Sequence, residues 1–114
     1  MTGEEAVGST TAGGDVTVIG LHGDVDEENA PLPARALAQA AEGGPRTVVD
    51  LSGAGFVDSS VLHALLRAQR AHAAAGGALV LAGPLHTEVR RLFGVTGAGT
   101  AFRMADDLAT ALTC

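Results

Sequence analysis

Residues 47–62 read TVVDLSGAGFVDSSVL and join the pattern of a buried strand to the start of an amphipathic helix. Its first part, Thr47 to Leu51, is short, rich in β-branched residues and almost continuously apolar, which is typical of a strand covered on both faces. From Val61 onward apolar residues recur with helical period up to Ala75, and glycines 76 and 77 end the pattern. The stretch therefore predicts a central strand that leads, through a loop, into an amphipathic helix.

Strand and helix patterns alternate on both sides of this unit. Strands are expected near Ala6 to Thr11, from Asp15 to Leu21 with Val16, Val18 and Leu21 inward, from Ala78 to Ala82 and from Thr100 to Met104. Helices are expected to start near Asn29, Ser60, Thr87 and Asp107 and to cover one face of the sheet. Short connections between strands and helices favour parallel pairing. The order predicts an α/β fold with a mixed sheet of four or five strands.

The predicted domain covers residues 15–114, and residues 1–14 are interpreted as a flexible segment or a weak edge strand. Its core residues recur at strand or helix period: Val18, Val49, Leu51, Leu62, Leu65, Leu66, Leu79, Leu81 and Leu92.

Composition excludes several classes of function. The 114 residues are 46% hydrophobic and 18% charged, as in a globular protein, and no apolar run is long enough for a membrane span. With an acidic start and a single cysteine, Cys114, we expect a cytoplasmic protein without disulfides. The net charge of −6 and three aromatic residues argue against nucleic acid as a direct partner. A protein partner is the better expectation.

The sequence lacks complete motifs for binding a cofactor or a metal and for catalysis. Gly53-Ala54-Gly55 stands between a strand and a helix, but Asp58 occupies the place where a pyrophosphate would bind, so no nucleotide cofactor is expected. His63 and His72 fall on opposite faces of one helix, too far apart to share a metal, and surface positions are expected for the histidines. No catalytic residue is assigned.

Asp58-Ser59-Ser60 stands at the start of the best amphipathic helix, directly after the central strand. Functional loops of parallel α/β sheets lie at this edge. Asp58 is predicted to cap the helix, a structural role worth about 1 kcal/mol. Capping does not exclude a function for the neighbouring serines.

The stretch Val48 to Ser60, with Asp50-Leu51-Ser52-Gly53 and Phe56-Val57-Asp58-Ser59-Ser60, resembles the signature of STAS domains, the fold of bacterial anti-sigma factor antagonists. The segment from Leu21 to Asp26 is similar to the family's Gly-Glu-Leu-Asp loop, and Gly76-Gly77 to the glycine pair before its fourth strand. Thr96-Gly97 with Phe102 is similar to its closing segment. The resemblance spans about residues 15–112 and implies a STAS fold with helices mainly on one face.

The resemblance implies that Ser60 is the phosphoacceptor and that Asp26 lies beside it and helps to engage a partner kinase. It further implies two protein partners, an anti-sigma factor with serine kinase activity and a phosphatase that removes the phosphate. The protein would then be a substrate and a binding module, not an enzyme. The residues expected at the partner-binding surface are Asp24, Asp26, Asp58, Ser59, Ser60, Val61 and His63.

Three alternatives stay open. Family members usually carry glycine where this chain has Val61 and His63, so one alternative is a module that binds constitutively without phosphorylation. Another is a STAS subunit of a transporter or a signalling scaffold. The third is a small hydrolase that uses Ser59 or Ser60 with His63, although the sequence shows neither a nucleophile elbow nor oxyanion donors.

Overall fold

A computed structural model describes residues 7–12, 16–25, 37, 46–97 and 102–113 of the chain. Its strands are β1 (Val7–Ala12), β2 (Val16–Val25), β3 (Arg46–Val57), β4 (Ala78–Ala82) and β5 (Arg103–Ala105). Its helices are α1 (Ser59–Ala74), α2 (Thr87–Thr96) and α3 (Leu108–Thr113). The helix expected from Asn29 lies outside the described residues except for Leu37, which is helical and buried.

The strands form one five-stranded sheet in the order β1-β2-β3-β4-β5. Strand β1 pairs antiparallel with β2 at one edge, whereas β2, β3, β4 and β5 are mutually parallel. The predicted α/β fold with a mixed sheet is confirmed. Strand β3 is central, but its pairing with β4 ends at Asp50, whereas its pairing with β2 continues to Val57 at the start of α1.

Strand β3 is longer than predicted, because Gly53-Ala54-Gly55 belongs to the strand and not to a loop. Its partner β2 is shorter, and the register shifts twice, between Gly20 and His22 and again between Gly23 and Asp24. Each shift is a β-bulge in which β3 carries an extra residue, and a bulge changes the face to which the following side chains point. Three inward side chains are consequently spaced by three residues instead of two: Leu51, Ala54 and Val57.

The main core lies between the sheet and the helices α1 and α2. Six of the nine predicted core residues are buried there, and Leu66 and Leu92 pack against them while partly exposed. Val18 does not belong to this core, since Ile19 and Leu21 of the same strand are the inward residues and side chains alternate along a strand. The expected inward phase of Val16 and Val18 is therefore wrong.

Helix α3 packs on the opposite face of the sheet, which corrects the expectation that all helices share one face. Ala111 joins Val48, Val80 and Ala82 in a second, smaller cluster on that face. Two partly buried residues of α3, Leu108 and Leu112, cover the same cluster. Both faces of the central strands are thus covered, as the continuous apolar pattern of β3 predicts.

Asp107 stands directly before α3, and its Oδ1 accepts the backbone N–H of Thr110 at 2.7 Å, so it caps this helix. Hydrogen bonds from the backbone and then the side chain of Thr110 lower the pKa of the Asp107 carboxyl below its ordinary value.

Among the described residues, no helix is both long and apolar enough to cross a membrane.

His72 is buried in α1, so the expectation of a surface position is wrong for this histidine, whereas His63 is exposed on the opposite face as predicted. His72 Nδ1 donates to the carbonyl of Ala68, and Nε2 forms a hydrogen bond with the hydroxyl of Thr47, both at 2.7 Å. A carbonyl oxygen can only accept, which fixes the hydrogen on Nδ1. The hydrogen bond between His72 and Thr47 connects the last turn of α1 to the start of β3.

Candidate functional site

The candidate site begins with Asp58, the single residue between β3 and α1. Its extended backbone (φ −105°, ψ −177°) continues the strand, and its side chain turns toward the helix as the N-cap. Asp58 Oδ1 accepts the backbone N–H groups of Ser60 at 3.0 Å and of Val61 at 3.3 Å. These are two of the first-turn donors that a helix cannot satisfy by itself, so the predicted capping role is confirmed.

The two neighbouring serines differ in their surroundings. The Ser60 hydroxyl donates to Asp58 Oδ1 at 2.6 Å, and the residue is half-buried. Ser59 is exposed at the first position of the helix. One carboxylate oxygen therefore holds both the backbone and the hydroxyl of Ser60, which fixes the direction in which the Ser60 oxygen can be approached.

Val61 and His63 point in opposite directions. The Val61 side chain is fully buried in the main core, so it contributes no side-chain surface to a partner. Its bulk is directed into the core of the protein. His63 is exposed four residues after Ser59, on the same side of the helix.

The structure brings Asp24 to this edge through strand pairing. In the register of β2 and β3, the Cα of Asp24 is opposite that of Phe56, and Asp58 follows two residues later. Asp26 lies outside the described residues. Asp24 and Asp58 thus come to the same end of the sheet from adjacent strands.

Phe56 lies at the surface, which the sequence pattern did not predict. Its side chain is 41% exposed, although it lies between the buried residues Ala54 and Val57. The sequence signal was present in the spacing of Leu51, Ala54 and Val57, which fits two bulges but not a regular strand. Glycines 53 and 55 obscured that signal, because they suggest a loop.

Gly53 lies where β3 closely approaches β2. A Cβ at this position would lie 2.8 Å from Nδ1 of His22 and 3.1 Å from the carbonyl oxygen of Leu21. The glycine therefore allows β3 to pack closely against β2, and the Gly53–Gly55 segment belongs to the strand. Within the described parts of the chain, no group of three or more His, Cys, Asp or Glu residues could hold a metal ion.

Comparison with known proteins agrees with the fold. The family described as "Mlab, STAS domain" matches residues 9–108. An anti-sigma factor antagonist from Mycobacterium paratuberculosis is 26% identical in sequence, with a TM-score of 0.82 over 94% of this chain and 90% of that one. No curated protein matches the sequence.

Three further solved structures share the fold. Unphosphorylated SpoIIAA, an anti-sigma factor antagonist, is 20% identical, with a TM-score of 0.74 over 92% of each chain. The phosphorylated form of Bacillus SpoIIAA has a TM-score of 0.70 at 20% identity, over 89% of this chain and 92% of that one. The murine anion transporter Slc26a9 is 16% identical, with a TM-score of 0.70 over 87% of this chain but only 17% of its own. At these identities, the likeness shows the fold alone.

Proposed function

The chain belongs to the STAS domain family, and we propose that it acts within that family as an anti-sigma factor antagonist. In this proposal it binds an anti-sigma factor that has serine kinase activity, and phosphorylation of Ser60 ends the binding. A separate phosphatase restores the unphosphorylated form. The place of action is the cytoplasm, and the protein is a substrate and binding module without catalytic residues of its own.

The observation that carries the proposal is the hydrogen bond from Ser60 Oγ to Asp58 Oδ1 at 2.6 Å. Transfer of a phosphoryl group needs the attacking hydroxyl to be aligned with the terminal phosphate of the nucleotide, and a held hydroxyl loses less freedom on alignment. The exposed Ser59 lies about 100° away around the helix, so a kinase that aligns one hydroxyl cannot align the other equally.

The proposed switch follows from charge. A phosphate on Ser60 adds about −1.5 to −2 charges at a helix N-terminus, where the helix dipole tolerates negative charge. The phosphorylated oxygen no longer has a hydrogen to donate to Asp58, so two negative groups would lie side by side at the docking surface. We expect the fold to persist and the complementarity with the partner to be lost.

The proposed docking surface combines Asp24 at the end of β2, Asp58 between β3 and α1, and residues of the first turns of α1. We assign to it Asp24, Asp26, Asp58, Ser59, Ser60 and His63, and the buried side chain of Val61 is removed from the expected set. Because Val61 points inward, its replacement of the usual glycine leaves Ser60 approachable. This supports phosphorylation over constitutive binding.

The test is intact-mass analysis of the chain after incubation with ATP and each purified anti-sigma factor kinase of the host. One kinase should add a single phosphate to the wild-type protein and to Ser59→Ala, and none to Ser60→Ala. A phosphate retained by Ser60→Ala would contradict the assignment of the serine. No phosphate with any kinase that binds the chain would favour a constitutive module.

A second candidate function rests on the transporter whose STAS-like part shares the fold. In that reading the chain is a subunit that docks on a transporter or a signalling scaffold. Co-purification of the tagged chain from its host discriminates between the two, since a sigma-pathway kinase supports the first candidate and a transporter ATPase supports the second.

A further inference from the structure

Phe56 differs from the other two phenylalanines of the chain. Phe93 and Phe102 are buried in the main core, with ring centroids 6.0 Å apart. Phe56 is 41% exposed, and among the described residues Val95 is the other exposed large hydrophobic side chain. An aromatic-poor protein thus presents an aromatic ring to solvent two residues before Asp58.

The exposure results from the second β-bulge of β3. Gly23 pairs with Ala54 and Asp24 pairs with Phe56, so Gly55 is the extra residue. The bulge keeps Ala54 and Val57 inward and turns Phe56 outward. Bulges next to functional sites commonly redirect a side chain in this way.

We propose that Phe56 is the apolar anchor of the docking surface and inserts into an apolar pocket of the anti-sigma factor, with Arg or Lys residues on the rim of that pocket. The inference rests on the proposed function and adds the residue and the partner chemistry. Buried aromatic side chains at the centre of an interface commonly carry much of the binding energy. Phe56 is not among the acidic and serine residues that the sequence assigns to this surface.

The acidic residues near Phe56 indicate which kind of partner binds this surface. Asp58 follows Phe56 by two residues and Asp24 is the register partner of Phe56, whereas the first arginine of α1, Arg67, lies about two helical turns beyond Ser59. A second copy of this chain would bring the same acidic residues against each other, and the net charge of −6 disfavours that pairing. A pocket with a cationic rim is complementary both to the ring and to Asp58.

The test compares Phe56→Ala with Val95→Ala, which removes the other exposed hydrophobic side chain from a different element, α2. Isothermal titration calorimetry measures binding to the purified anti-sigma factor kinase that the unphosphorylated wild-type chain binds. We expect Phe56→Ala to weaken binding by about thirtyfold or more, and Val95→Ala to change it by less than about twofold. Phe56→Leu keeps apolar bulk and should lose less, while circular dichroism checks that each variant is folded.

Each remaining outcome overturns the inference in a distinguishable way. If the wild-type chain binds and Phe56→Ala binds equally well, the anchor is wrong and the proposed function stands. If both alanine variants weaken binding equally, Phe56 has no special role. If Phe56→Ala converts a wild-type dimer into a monomer in light scattering, the occupant is a second copy. If the wild-type chain binds none of its host's anti-sigma factors, the proposed function fails and the inference fails with it.

Discussion

The hydroxyl of Ser60 and the carboxylate of Asp58 are joined by a 2.6 Å hydrogen bond, and the same oxygen of Asp58 also accepts the amides of Ser60 and Val61. Helix capping and presentation of the candidate phosphoacceptor therefore depend on one atom. A change at Asp58 should affect stability and phosphorylation together, whereas a change at Ser60 should affect phosphorylation with a smaller effect on the cap.

Asp58→Ala is expected to lower the free energy of unfolding by about 1 kcal/mol, because the first-turn amides lose their acceptor. It should also slow phosphorylation, because the Ser60 hydroxyl is no longer held. Chemical denaturation and phosphate incorporation measure the two effects. Asp58→Asn is the matched control, since its side-chain oxygen can still cap, and it should recover most of the stability. Unchanged stability and phosphorylation in Asp58→Ala would contradict both roles.

Ser60→Asp is expected to weaken binding to the anti-sigma factor without unfolding the chain. It places part of the phosphate's charge at the helix N-terminus, where negative charge is tolerated, but next to Asp58 on the docking surface. Titration calorimetry with the cognate anti-sigma factor gives the affinity, and Ser59→Asp is the control at the adjacent exposed position. Equal weakening by the two variants would show that general charge, and not the position of Ser60, decides binding.

Thr47→Val should destabilise the fold by about 1–3 kcal/mol, because it leaves Nε2 of the buried His72 without its hydrogen-bond partner. The double variant Thr47→Val with His72→Leu removes both polar partners and should recover part of the loss. Urea denaturation measures each variant. Thr96→Val is the comparison at an exposed hydroxyl, which donates to the carbonyl of Leu92, and should cost less. Equal losses in Thr47→Val and Thr96→Val would contradict the role of burial.

Asp107→Ala is expected to destabilise the chain more at neutral pH than in acid. Hydrogen bonds from Thr110 hold the pKa of Asp107 below the ordinary value of 3.8, so its contribution is present above that value and is lost as the pH falls through the lower pKa of the folded state. Melting temperatures of the wild type and variant should therefore converge below about pH 3.8. Asp106→Ala, at the exposed neighbour, is the control. A difference in melting temperature that stays constant across this range would contradict the cap.

Sequence patterns predicted the elements whose periodicity is strong. The unit of β3 and α1 was identified because Val48 and Val49 are continuous with other apolar residues and because Leu62 and Leu65 recur with helical period. The burial of His72 was missed, although position 72 is seven residues after Leu65 and thus on the same face of the helix. Residue type suggested a surface histidine, and the hydrogen bond with Thr47 that makes burial possible is a long-range contact.

Local sequence patterns could not predict the β-bulges of β3 or the face of the sheet on which α3 packs. Two glycines in β3 are compatible with a loop or with a bulged strand, and only the pairing with β2 decides between them. The expected inward phase of Val16 and Val18 failed because both faces of the sheet are covered, so an apolar residue does not identify its face. The exposure of Phe56 depends on those same bulges.

The phosphoacceptor is identified by the mass of the chain after reaction with ATP and the anti-sigma factor kinase that binds it, compared for the wild type, Ser59→Ala and Ser60→Ala. We expect one added phosphate on the wild type and on Ser59→Ala, and no added phosphate on Ser60→Ala. One phosphate on Ser60→Ala and none on Ser59→Ala would contradict this assignment.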